Sequence, residues 1–194
     1  MTKVLPGYER LILIPAVEID GVPWMISPTA GLVDYENPGS AILNEYLAIT
    51  KPSQANAAQG GNISCVVLDD LNLGVAGSDT DSSKTLCSKG NSEELTFYNF
   101  NAELNAKRDE NITADSTENL FRDLTRAPDV AYFIGHSVVG QYDSTELAAI
   151  GQEWDFYYVH TDIQVPGYSD NEHIQAQSSF VPKNVVNVGH TLGI

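Results

Sequence analysis

Basic residues are scarce in this chain: 10 Lys and Arg stand against 26 Asp and Glu in 194 residues, a formal net charge of −16. That balance repels a phosphate backbone and argues against a nucleic-acid-binding role. It has two readings, plain solubility and a surface shaped not to adhere to a polyanion. Cysteine is nearly absent, with only Cys65 and Cys87. Neither a C-x-x-C pair nor a Cys/His spacing is present, which excludes a zinc site; two buried thiols are expected, with a single disulfide as the alternative. No apolar run approaches a membrane span, and residues 1–6 lack the apolar core of a secretory leader. A soluble chain made in a cytoplasm is therefore expected, and Asn62-Ile63-Ser64 and Asn111-Ile112-Thr113 are read as chance glycosylation sequons.

Catalytic patterns are missing too. There is no P-loop, no G-x-G-x-x-G and no G-x-S-x-G elbow, and Gly135-His136-Ser137 does not make one. The histidines, His136, His160, His173 and His190, have no histidine partner at metal-ligand spacing and read as hydrogen-bonded structural residues. The run Asp79-Thr80-Asp81-Ser82-Ser83 starts like a calcium loop, but Lys84 stands where glycine is needed and Gly90 where glutamate is needed. The expectation is no enzyme, no catalytic residue, no cofactor and no resident metal.

What is present is strand and loop around one helix. Residues 115–126 form that helix, with Asp115 as N-cap, Glu118 completing a capping box, and Thr117, Leu120, Phe121 and Leu124 as an apolar stripe. Arg122 and Arg126 complement its C-terminal dipole and Pro128 stops it. Nine strands are expected, over 10–17, 22–26, 41–50, 63–68, 94–104, 130–139, 153–165, 175–181 and 185–192. Pro15 suggests an edge or a strand end, Asp20-Gly21 a hairpin turn, and Pro166-Gly167 a terminating turn. Segment 41–50 also fits a helical face, but is read as strand. Loops are expected over 28–40, 51–62 (exposed and flexible around Gly60-Gly61), 69–91, 107–114, 140–150 and 168–173. In 153–165, Trp154, Phe156 and Tyr158 share one side; core packing is the main reading, and a stacking platform for sugars the other. The sum is one mainly β domain over 1–194, a β-sandwich or barrel with one flanking helix.

The order of elements in the C-terminal half resembles the major tail (tail tube) proteins of long, non-contractile-tailed bacteriophages, particularly those infecting actinobacteria. The stretches that carry the likeness are Asn119-Leu120-Phe121-Arg122-Asp123-Leu124, Val130-Ala131-Tyr132-Phe133-Ile134-Gly135-His136, the Gly151-Gln152 turn, Trp154-Asp155-Phe156-Tyr157-Tyr158-Val159 and Phe180-Val181-Pro182-Lys183-Asn184-Val185-Val186, with Ser27-Pro28-Thr29-Ala30 as an early Pro-Thr step. The resemblance implies a tail-tube-type β-sandwich or barrel in hexameric rings whose inner strands join into one barrel. The rings stack into a tube assembled in the host cytoplasm, and DNA passes through without specific binding. It also implies a virion location, no membrane, and a tape measure protein, a tail terminator and distal tail proteins as partners. The N-terminal arm and the 51–62 and 140–150 loops are the expected contacts between subunits or rings. The alternatives are a terminator or head–tail joining ring, and a carbohydrate-binding β-sandwich using Trp154 and Tyr158.

Overall fold

The computed structural model describes residues 9–55, 59–68, 72–82, 93–137, 147–167 and 175–193. Ten strands form one antiparallel sheet: β1 Arg10–Ile19, β2 Val22–Ser27, β3 Gly31–Asp34, β4 Gly61–Asn62, β5 Asn72–Ser82, β6 Glu93–Lys107, β7 Ala131–Ser137, β8 Glu153–Thr161, β9 Val165–Gly167 and β10 Gln175–Thr191. The spatial order is β3-β2-β1-β7-β8-β10-β6-β5, with β4 beside β1 and β9 beside β10.

Two long strands are shared between portions of the sheet. Arg10 to Pro15 of β1 pair with β7, and Ala16 to Ile19 pair with β2. Gln175 to Ser179 of β10 pair with β6, whereas Phe180 onward pairs with β8. Expected as two strands split at Pro182, β10 is instead one strand with a register shift between Pro182 and Val186. A bulge absorbs the irregularity without ending the strand. Pro15 is tolerated in a central strand for a related reason. It falls between the residues of β1 that pair with β4 (Ile12, Leu13) and those that pair with β2, so its missing N–H breaks neither ladder.

Antiparallel partners share a face of the sheet. One face of the centre therefore carries Arg10, Ile12 and Ile14 on β1, Ser137, Gly135 and Phe133 on β7, and Trp154, Phe156 and Tyr158 on β8. Both faces are buried, because β7 and β8 are enclosed along most of their length, as near-continuous apolar strands require. On the opposite face the Tyr132 hydroxyl donates to the Leu124 carbonyl, 3.0 Å, at the end of a helix.

That helix is α2, Thr117–Thr125, and its Leu120, Phe121 and Leu124 stripe is buried as expected. Its N-cap, however, is Ser116, whose side chain accepts from the Asn119 N–H. Asp115 is turned elsewhere, accepting from the Ser53 N–H (3.0 Å) and hydroxyl (2.7 Å), so it ties the helix entry to the 3₁₀ turn Pro52–Gln54. Thr125 fastens the far end. Its hydroxyl donates to the Phe121 carbonyl and accepts from Ser178 and from Gln164.

A second helix, α1 Ser40–Leu47, replaces the strand expected over 41–50. Ile42, Leu43, Tyr46 and Leu47 are its buried residues, a helical rather than an alternating pattern. Tertiary burial of that face decides between two readings that local propensity left close. Other segments also depart from expectation. Segment 28–40 contains β3, and 69–91 contains β5, a polar strand recruited by pairing with β6. Segment 63–68 is a turn whose Val67 bridges Ala106, and Pro166-Gly167 belongs to β9, paired with β10, instead of forming a turn. Cys65 is exposed, not buried; Cys87, His173, most of the 140–150 segment and all of 168–173 lie outside the described residues. The Asp20-Gly21 hairpin is as expected, with φ of 53° and 80°.

Gly60 and Gly61, expected at the centre of an exposed loop, are buried. A Cβ on Gly60 would lie 2.4 Å from the Leu13 carbonyl oxygen and 2.6 Å from Tyr46; one on Gly61 would lie 2.8 Å from the Ile49 carbonyl oxygen and 2.9 Å from Leu120. Strand β1, the end of α1 and the start of α2 thus meet at two residues without side chains. Gly60→Ala must displace backbone and is expected to cost about 1–3 kcal/mol, read as a fall in the urea midpoint at unchanged slope. Ser116→Ala should cost about 1 kcal/mol in the same assay, by loss of the cap.

Candidate assembly surfaces

The aromatic strand does not form a ligand platform. Trp154, Phe156 and Tyr158 are 0%, 0% and 2% exposed, so none can offer a ring to a sugar. They are packed: Trp154 stacks with Phe156 at 6.3 Å, Phe133 lies 5.1 Å from Tyr158, and Tyr35 caps Phe133 at 5.5 Å. The Arg10 guanidinium lies over Trp154, 4.8 Å from the ring centroid, and donates to the Gln152 side chain at 2.6 Å. This burial overturns the carbohydrate-binding alternative.

The described histidines take structural positions. His136 approaches Glu9 at 3.5 Å, and His190 meets Phe156 edge-on. His160 is the most connected: Nδ1 lies 2.7 Å from an Asp129 carboxylate oxygen, and Nε2 lies 3.2 Å from the Tyr158 hydroxyl. Burial pushes the Tyr158 hydroxyl pKa up, and the neighbouring Glu18 carboxylate pushes it further. The hydrogen bond and charge of His160 hold the Asp129 carboxyl below its ordinary 3.8. Asp115 is likewise lowered, by its two hydrogen bonds from Ser53. Burial raises Tyr132 and Tyr157 to about 12, so both stay neutral over any useful pH range. Among the described residues no group of three or more His, Cys, Asp or Glu is placed to hold a metal ion.

The surface carries two features suited to assembly. The first is free sheet edge. Strands β3 and β5 end the path of the sheet, and among the described strands neither has a second neighbour. Each offers a row of backbone donors and acceptors to another chain. The second is charge. No Asp or Glu whose burial is described is buried, so the negative charge of those residues lies outside. The expected contact loops divide. The 51–62 loop ends in the buried Gly60, Gly61 and Asn62, which belong to the core. Beyond the 140–146 part of the other loop, Leu147 and Ile150 are 65% and 62% exposed. Of the N-terminal arm only Glu9 is described.

A family model described as phage tail tube protein matches residues 39–192, from just before α1 almost to the end of the chain. The chain belongs to the phage tail tube protein family. It is accordingly a structural component of the virion tail, self-assembling into a tube and working with other tail proteins. Tail tube proteins are structural and not known as enzymes. No curated protein and no solved structure matches the chain. No described helix is long and apolar enough to cross a membrane. The β1–β2–β3 meander precedes the matched residues.

Because their folded pKa values are lowered, Asp115 and Asp129 contribute stability that is present above the ordinary carboxylate range and lost as pH falls through the folded values. Urea unfolding of Asp129→Asn and Asp115→Asn between about pH 5 and 2 should each show a shallower acid loss than wild type, with the two effects adding.

Proposed function

We propose that this subunit forms hexameric rings in which strands of neighbouring copies join edge to edge, and that the rings stack into a tube whose acidic lumen conducts DNA during ejection. The reading takes 1–194 as one domain. The observation that carries it is that β3 and β5, at opposite ends of one sheet, have no second neighbour among the described strands, in a tail tube family member. An edge at each end lets every copy give one edge and receive another, and such a heterologous contact closes into a ring when its rotation closes. The absence of a buried Asp or Glu among the residues whose burial is described supports the lumen reading, since a like-charged wall offers a polyanion no binding site. A tape measure protein inside the tube, a tail terminator at one end and distal tail proteins at the other are the partners that membership of this family suggests.

Negative-stain electron microscopy of the purified chain, with light scattering over a concentration series, tests the proposal. Hollow tubes of stacked rings are expected. A chain that stays monomeric at high concentration and is missing from purified virions sinks it, and isolated single rings favour a terminator or joining role. Repulsion between copies this acidic should be relieved by salt, as the Debye length falls from about 14 Å at 0.05 M to about 4 Å at 0.5 M. The concentration needed for assembly should therefore fall as ionic strength rises, measured by sedimentation.

A further inference from the structure

Four polar side chains stand in line at one rim of the central sheet. Tyr158 and His160 share a side of β8. Register carries that side through Phe133 of β7 to Ile14 of β1, and strand alternation carries it on to Glu18. His160 sits in the middle of the line. Its Nδ1 is 2.7 Å from an Asp129 carboxylate oxygen and its Nε2 is 3.2 Å from the Tyr158 hydroxyl. The Glu18 carboxylate faces the same hydroxyl: after burial, its charge and hydrogen bonding are what raise the phenol pKa. Lys183 of β10 bears on the group through its charge near Asp129. Directly across the strands from the ring are Ala131 and Val181, which carry no charge.

Asp129 does not follow the ring. Its φ of 60° is a left-handed conformation uncommon outside glycine, and such strain persists where the surrounding structure over-determines it. Bonds to the end of β8 do so here. The Asp129 N–H donates to the Thr161 carbonyl at 2.8 Å, the Val130 N–H to the Thr161 hydroxyl at 2.9 Å, and that hydroxyl to the Ala127 carbonyl at 2.6 Å. An ionised carboxylate only accepts hydrogen bonds, so Nδ1 carries a proton in either charge state of the ring. In the neutral ring Nε2 is then a bare acceptor, and it takes the single Tyr158 proton. Glu18 is left facing a phenol oxygen whose proton points away. In the charged ring Nε2–H donates to that oxygen instead, and the phenol proton is free for Glu18. Every donor in the line then meets an acceptor, and the ring cation lies between two carboxylates.

We propose that His160 is a proton-operated latch between the central sheet and the β1–β2 hairpin: a second ring proton turns the Tyr158 hydroxyl from His160 to Glu18 and so ties the end of β1 to β8. The His160 side chain is 19% exposed, so solvent supplies the proton. Glu18 lies just before the Asp20-Gly21 turn, and the bond therefore fastens the hairpin that leads into the edge strand β3. The latch closes as pH falls through the ring's titration and opens as pH rises. It lies within one subunit, so it goes beyond the tube reading and survives a failure of that reading.

A nitrogen-15 histidine NMR spectrum of the full chain, in solution or in assembled tubes, locates the titration of His160 and reads its tautomer. The neutral ring is expected to carry its proton on Nδ1. Hydrogen exchange by mass spectrometry then compares peptides spanning 16–27 on the two sides of that titration, all above about pH 5.5 to stay clear of the ordinary carboxylate range. Rates are corrected for intrinsic exchange and for any change shared by the β5–β6 ladder. The hairpin should exchange roughly two- to tenfold more slowly with the ring charged. Tyr158→Phe and Glu18→Gln should each remove that difference, whereas a merely structural ring would protect the hairpin equally in both states. His160→Asn keeps a donor for Asp129 and has nothing at the Nε2 position, so it should make the protection independent of pH. A neutral ring protonated on Nε2, equal protection on both sides of the titration, or a difference that survives Tyr158→Phe overturns the latch.

Discussion

Two residues without side chains hold this subunit together. At Gly60 and Gly61 the chain passes so close to the Leu13 and Ile49 carbonyls that no Cβ fits. Strand β1, the end of α1 and the entry of α2 converge there, and the Asn62 N–H donates to the Ile49 carbonyl at 2.7 Å immediately afterwards. Helices of eight and nine residues are too short to persist alone. Their stability comes from lying against the sheet, and the distance at which they can lie is set where the backbone is thinnest. The Asp115–Ser53 bond fixes the same junction from outside, joining the turn before the glycines to the start of α2.

The central sheet depends on that arrangement. With helix on one face and Tyr35 and the meander folded against the other, β7 and β8 are enclosed on both sides, and the aromatics of β8 serve packing, not recognition. Polar groups inside the fold are mostly tied down. The Arg10 guanidinium rests on Trp154 and Gln152, and Thr125 gathers three hydrogen bonds where α2 meets β10. Charge is left for the surface, where a protein built to associate with copies of itself must then overcome it.

Sequence revealed the elements whose local and tertiary signals agree. The stripe Leu120, Phe121, Leu124 and the apolar strand from Val130 are legible because their periodicity matches their burial, and the Asp20-Gly21 turn because its chemistry admits few alternatives. It failed where pairing overrode pattern. Strand β5, with Gly74, Gly77 and a polar end, has no alternation to read and exists because β6 lies beside it. Helix α1 was ambiguous between two periods until its buried set was known. The Gly60-Gly61 pair looked like a flexible linker because glycine signals both freedom and close approach, and only three-dimensional neighbours tell them apart. For the assembly surfaces, the run Val22 to Ile26 is legible in sequence only as a strand, with nothing to say which of its sides is left open. The open edges of β3 and β5 had no signature at all, since an edge is defined by an absent neighbour.

The sharing of β1 and β10 between portions of the sheet has a mechanical side. A sheet whose parts are joined by uninterrupted strands has no pivot between them, and the bulge near Pro182 is a fixed corner. Such a subunit moves as one block. When a long tail flexes, the strain is then carried by sliding and tilting at the joints between copies, and the stiffness of the whole filament is a property of those joints, not of the fold.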